Sequence, residues 1–214
     1  MQNRVTMPAL MATPQTPRSK KTAAKPAAKS AATGAASKSK TASASASRSA
    51  AAQVPAAAVE VDQLVGKKAP SFRLMSGKGE VISSSSLAGA PYVIYFYPKD
   101  NTPGCTREAC DFRDAQKDFA KLGVRVFGVS PDSTASHQKF ATSYGLNFEL
   151  LSDPDHELAE KYGVWALKKN YGREYYGIVR STFIVDDKGK VRAAYRGVRV
   201  DGHVQKILEE LKSK

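Results

Sequence analysis

The 214-residue sequence predicts an α/β layered domain with a mixed sheet, preceded by a basic segment expected to be disordered. Three observations carry that fold class. Residues 92–97 (YVIYFY) form a continuous apolar, β-rich run ended by Pro98. Strand and helix patterns then alternate, and the alternation gives way to a hairpin signal and a last helix. All 18 aromatic residues and all 20 acids lie in residues 60–214, so the core-forming side chains are confined there.

The elements follow in order. The run at 92–97 reads as a buried strand, apolar on both faces. Phe112, Ala115, Phe119 and Leu122 then recur at helical spacing and mark one amphipathic helix, stopped by Gly123. Residues 124–129 (VRVFGV) read as the next strand. Phe140, Ala141 and Tyr144 predict a helix ended by Gly145. Asp153-Pro154 can cap and start another through Leu158, Ala159 and Tyr162, with Gly163 after it. Residues 181–185 and 191–195 flank 186–190 (DDKGK), a hairpin signal. Asp201 can cap a final helix with Val204, Ile207, Leu208 and Leu211 on one face.

Residues 1–59 have a different chemistry. They hold 19 Ala, 8 Ser, 6 Thr and 9 Lys or Arg, with no acid and no aromatic. Such a segment cannot bury enough apolar surface to offset the entropy of ordering it, so disorder is expected. It accounts for +9 of the formal charge of +13; residues 60–214 carry 24 basic and 20 acidic residues, a net +4. The high isoelectric point therefore reports the tail. Its run at 20–30 (KKTAAKPAAKS) is similar to the tails of linker histones and bacterial histone-like proteins. Nucleic-acid contact, targeting as a transit peptide, and no specific role all stay open.

Several classes are excluded. No stretch approaches the ~20 apolar residues of a membrane span, and the apolar piece at 7–12 is broken by Pro8, so no secretory signal is read. Two cysteines make no disulfide framework. Without a secretory signal a cytoplasmic location is expected, with nucleoid, nucleus or an organelle as alternatives.

Both cysteines, Cys105 and Cys110, fall where the buried strand passes into the amphipathic helix, in YPKDNTPGCTREAC. A helix start offers unpaired N–H groups and the positive end of the dipole, which favour a thiolate. Cys105 sits in that first turn, a plausible place for a nucleophile, and Thr102 can hydrogen-bond sulfur or a substrate oxygen. Other readings apply to the same residues. A cysteine is commonly a small core residue. A zinc site would need a closing pair, but His137, His156 and His203 stand singly. No C-x-x-C occurs, so a dithiol exchanger lacks its central motif.

The segment at 98–105 (PKDNTPGC) resembles the peroxiredoxin active-site pattern P-x-x-x-[ST]-x-x-C. The continuation to Cys110 is similar to the PrxQ, or bacterioferritin comigratory protein, branch of that family. The likeness extends over residues 62–214 through VGKKAPSFRL, GVSPDS and GIVRSTFIVD, and leaves 1–59 without a counterpart. It implies a thioredoxin-like fold of peroxiredoxin type and a thiol peroxidase acting on hydrogen peroxide and organic hydroperoxides. Cys105 would be the peroxidatic cysteine and Cys110 the resolving one. Thr102 would align the peroxide, Arg180 would favour the thiolate and the charge leaving with oxygen, and Pro98 would shield the sulfur from bulk water. The resemblance further implies an intramolecular Cys105–Cys110 disulfide, reduction by thioredoxin or a glutaredoxin-like protein, a monomer, and no metal, haem or flavin cofactor. The alternative reading is a nucleic-acid-associated protein whose peroxidase domain protects bound DNA.

Spacing adds one mechanical expectation. Five residues apart on a regular helix, two Cα atoms are roughly 8–9 Å apart. A disulfide spans at most about 7 Å. The first turns must therefore unwind before Cys105 and Cys110 can bond.

Overall fold

The computed structural model describes residues 62–170 and 172–213; segment 1–59, with the disorder expected of it, lies outside them. The described residues form nine strands and five α-helices: β1 Arg73–Ser76, β2 Val81–Ser83, β3 Tyr92–Phe96, α1 Pro103–Asp114, α2 Gln116–Lys121, β4 Arg125–Ser130, α3 Thr134–Tyr144, β5 Glu149–Ser152, α4 Glu157–Lys161, β6 Trp165–Asn170, β7 Arg173–Ile178, β8 Ser181–Val185, β9 Val191–Arg196 and α5 His203–Lys212. Seven strands make a mixed sheet in the order β2-β1-β5-β4-β3-β8-β9, and β6 pairs with β7 as a separate ribbon. Strands β3, β4 and β5 run parallel, joined by helical crossovers, while β8 lies antiparallel to β3. No described helix is long and apolar enough to cross a membrane.

The YVIYFY run becomes the central strand because it is buried on both faces. Val93, Tyr95 and Tyr97 point into one core with Phe112, Phe119, Phe140 and Ile207. Tyr92, Ile94 and Phe96 point into the other with Phe72, Leu158, Tyr162 and Phe183. The alternation is the period-two geometry of a strand. Ring stacking fixes the first core: Tyr95 lies over Phe112 with centroids 4.5 Å apart, so α1 is pinned to β3 near its C-terminal end.

Three expectations are corrected. The single helix expected through 112–122 is divided at Ala115 (φ −85°, ψ −3°), where Asp118 N–H turns back to the Ala115 carbonyl in a tighter i→i+3 bond. Phe119 stays buried, so the apolar stripe survives the break. The helix expected directly after Pro154 begins at Glu157 instead, because residues 153–156 close a turn and His156 takes a left-handed conformation. Asp153 still caps it: its carboxylate accepts from the N–H groups of Leu158 and Ala159 at 3.2 and 2.9 Å. The last helix is capped by Gly202 in a left-handed conformation, while Asp201 pairs with Arg107 at 2.8 Å.

Candidate active site

β3 ends at Phe96, and the chain must turn past Pro98 to begin α1 at Pro103. A buried polar network fixes that turn. The Asp100 N–H donates to Asp132 at 2.7 Å. The Asp100 carboxylate accepts from Tyr97 Oη at 2.7 Å and Ser136 Oγ at 2.7 Å, and lies 2.9 Å from His137 Nδ1. Burial works against ionising Asp100, but these partners outweigh it and hold its carboxyl below the ordinary carboxylate range. Asn101 follows in a left-handed conformation (φ 56°), a strained geometry tolerated because Asp100 is anchored on one side and α1 starts on the other.

Thr102 is the N-cap of α1 by backbone conformation, and Pro103 occupies the first helical position, where a missing N–H costs nothing. The Thr102 hydroxyl makes no capping bond. It donates to the Lys99 carbonyl at 3.2 Å, which leaves the oxygen lone pairs free to accept from a bound O–H group. Cys105 comes in the first turn, buried to 2% exposure and a free thiol.

The 75-residue gap between Cys105 and Arg180 is closed by sheet pairing. β8 pairs with β3 in the register Phe96↔Ser181, which carries Arg180, just before β8, to the end of the strand that leads to Cys105. Arg180 Nη2 donates to Cys105 Sγ at 3.2 Å, and Nη1 donates to Glu108 Oε2. Gly104 lies against this guanidinium: a Cβ there would meet Nη2 at 3.4 Å, an ordinary contact. Pro98 is half-buried on the turn preceding the helix. So Cys105 and Arg180 are in contact, with Thr102 and Pro98 on the adjoining turn. Cys110 is half-buried on the same unbroken helix, rotated away from the sulfur, and is also a free thiol.

Glu108 is the site residue that sequence reasoning missed. It is fully buried, and its Oε1 has no hydrogen-bond partner. Burial pushes its carboxyl up to about 7 against the opposing pull of Arg180. The available signal was an acid three residues after Cys105, on the same helix face as the sulfur and Phe112. Of the histidines, His137 belongs to the Asp100 network, while His203 Nε2 lies 2.8 Å from Thr182 Oγ1. His156 lies tilted against Trp165, with ring centroids 3.7 Å apart and an interplanar angle of 44°.

Two of these groups oppose each other in stability. Burial lowers His203 to about 4 from 6.5, so between those values the unfolded chain binds a proton that the folded chain does not. Stability from His203 therefore falls as pH drops through that window. Glu108 is raised from 4.5 to about 7, so the folded chain holds the extra proton and stability falls as pH rises. Each shift is worth roughly 3 kcal/mol, and the slopes nearly cancel. His203→Asn should expose the Glu108 slope, with urea unfolding showing about 2–3 kcal/mol more stability at pH 5 than at pH 7 relative to wild type. An unchanged difference between the two pH values would contradict the pairing.

A match to the AhpC/TSA family covers residues 65–194. Peroxiredoxin Bcp of Bacillus subtilis is 50% identical over 148 residues, spanning 69% of this chain and 94% of that protein. Peroxiredoxin Bcp of Escherichia coli is 40% identical over 147 residues, spanning 69% and 94%. Among solved structures, Xanthomonas campestris peroxiredoxin Q superposes with a TM-score of 0.64 at 42% identity, covering 66% of this chain and 90% of that one. Peroxidoxin BcpB of Mycobacterium tuberculosis gives 0.62 at 33% identity, covering 70% and 96%. The family match begins after the basic segment.

Proposed function

The chain belongs to the AhpC/TSA family as a peroxiredoxin of the Bcp and Q type, and within that thiol peroxidase activity we propose a two-cysteine cycle carried by Cys105 and Cys110. The Cys105 thiolate attacks one oxygen of hydrogen peroxide or an organic hydroperoxide. The O–O bond breaks, the second oxygen leaves as water or alcohol with a proton, and Cys105 becomes a sulfenic acid. Thr102 accepts from the peroxide O–H and aligns it, Arg180 stabilises the thiolate and the departing oxygen, and Pro98 covers the sulfur. Cys110 then attacks the sulfenic sulfur, water leaves, and an intramolecular disulfide forms in the monomer. Thioredoxin or a glutaredoxin-like dithiol reduces it.

The observation that carries this reading is the 3.2 Å contact from Arg180 Nη2 to a buried first-turn thiol. The test is stopped-flow mixing of the reduced protein with peroxide: fast loss of peroxide coupled to loss of both free thiols supports it. A protein that exchanges disulfides but does not consume peroxide excludes it.

The proposed disulfide requires α1 to open. With both thiols reduced, α1 runs without interruption from Pro103 to Asp114. Amide exchange over residues 106–112 should therefore rise on oxidation and fall again on reduction. Unchanged protection there would mean that Cys110 is not the resolving partner.

For segment 1–59 we propose salt-dependent, sequence-independent contact with nucleic acid, on the strength of nine basic residues and no acid. A gel shift of 1–59 beside 60–214 tests it; absence of binding by the segment ends that reading without touching the enzyme.

A further inference from the structure

Asp100 is held far more firmly than a connecting turn requires. It is 4% exposed and lies between the end of β3 and the first turn of α1. Its carboxylate takes Tyr97 beside β3 and Ser136 and His137 from the start of α3, while its N–H goes to Asp132 in the β4–α3 connection. That connection is itself fixed. Asp132 Oδ2 also accepts from Ser130 Oγ at 2.8 Å, and the Asp132 carbonyl accepts from Ser152 Oγ at 2.6 Å, so the ends of β4 and β5 hold it. His137 is completely buried, and its second ring nitrogen, Nε2, lies 3.2 Å from the Leu151 carbonyl of β5. The network draws its partners from the GVSPDS segment and the helix that follows it.

The hydrogen bonds of Cys105 and Arg180 include no member of this network among the described residues. Its reach to the sulfur is through the chain. Only Asn101 and Thr102 separate Asp100 from Pro103, the first residue of α1. With Asp100 fixed, the chain enters the helix through the left-handed Asn101, and that path sets where Thr102 and Cys105 stand. The same fixed point acts on the opened form. An unwound segment that must start from one anchored residue has fewer conformations than one whose preceding turn is also free, so the anchor lowers the entropy gained on opening.

We propose that Asp100, clamped by Ser136 and His137, is a positioning residue of the peroxide step: it holds the start of α1 closed around Cys105 and so sets the balance between peroxide attack and disulfide formation. The inference rests on the two-cysteine peroxidase reading above. Attack needs α1 closed, with Cys105 against Arg180. Disulfide formation needs α1 open. One clamp therefore acts on both steps, with opposite sign.

The test measures, on the reduced protein, the second-order rate of Cys105 oxidation by hydrogen peroxide and then the first-order loss of sulfenic acid to disulfide. Asp100→Ala removes the acceptor of three side chains and frees the turn. It should form the disulfide about tenfold faster and react with peroxide several-fold more slowly. Ser136→Ala removes one bond to the carboxylate at a helical position that alanine favours, so folding is not at risk if Asp100→Ala fails to fold. It should speed disulfide formation about threefold and raise amide exchange over residues 106–112 in the reduced protein. Ser136→Thr, which keeps the hydroxyl, should match wild type. Asp153→Ala removes the cap of α4, a comparable loss of stability away from this turn, and should leave both rates unchanged. Two rates that fall together overturn the proposal, as do unchanged disulfide and exchange rates in Ser136→Ala. An Asp153→Ala variant that reproduces the opposed pattern also overturns it. Wild-type protein that does not consume peroxide removes the peroxidase reading instead, and the exchange measurement on Ser136→Ala still decides whether the clamp holds α1 closed.

Discussion

Cys105→Ser is expected to abolish peroxide consumption, whereas Cys110→Ser should consume about one equivalent and stop, leaving a trappable sulfenic acid when thioredoxin is the only reductant. The asymmetry follows from placement. Cys105 is buried at the first turn of α1 with Arg180 against its sulfur. Cys110 lies farther along the helix, half-buried, and has no contact with the Arg180 guanidinium among the described hydrogen bonds. A serine hydroxyl at 105 cannot ionise at neutral pH, so no nucleophile remains and the loss should reach the rate of peroxide with buffer. At 110 the first step is untouched, and only its sequel is blocked. Mass spectrometry with a sulfenic-acid trap separates the two variants. Equal residual turnover in both would overturn the assignment of roles.

The parts of this arrangement that were legible in the sequence are the local ones. The apolar run, the left-handed Gly145 that ends α3 and the DDKGK turn each declare themselves within a few residues, and the structure places strand, helix end and hairpin there. The short strands β1, β2 and β5 carry three or four residues each, too few to show a period; β1 and β5 are fixed by pairing with each other far along the chain, and β2 only adds to the edge beside β1. The β6–β7 ribbon has exposed apolar residues and lysines, so its pattern does not separate core from solvent. Glu108 illustrates the limit most sharply. An acid in a helix reads as a solvated face, and nothing local tells that Arg180, 72 residues away, will meet it in the core. The Asp100–His137 contact is hidden in the same way: each residue is unremarkable alone, and only the crossover through α3 brings them together.

Those non-local contacts determine what the loss of Arg180 should do. Arg180→Met is expected to slow the peroxide step by about 10²-fold or more, equivalent to roughly 3 kcal/mol, while reduction of the disulfide stays nearly intact. The methionine keeps most of the apolar stem, so packing against the helix start survives. What is lost is the donor on Cys105 Sγ and the partner of Glu108. A fully buried carboxylate without its cation would ordinarily cost several kcal/mol. Here Glu108 already sits near 7, so removal of the opposing arginine drives it to the neutral acid at working pH instead of unfolding the chain. The variant should therefore fold, and its residual peroxide rate should depend on the thiolate fraction alone. Thr102→Val gives the contrasting case: it deletes the hydroxyl proposed to align peroxide but leaves the Cys105–Arg180–Glu108 charges in place, so its loss should be nearly constant across pH. Combining the two substitutions discriminates further. If both act on the same developing charge, the double variant should lose less than the product of the single losses. Wild-type peroxide rates in either single variant would make that residue structural.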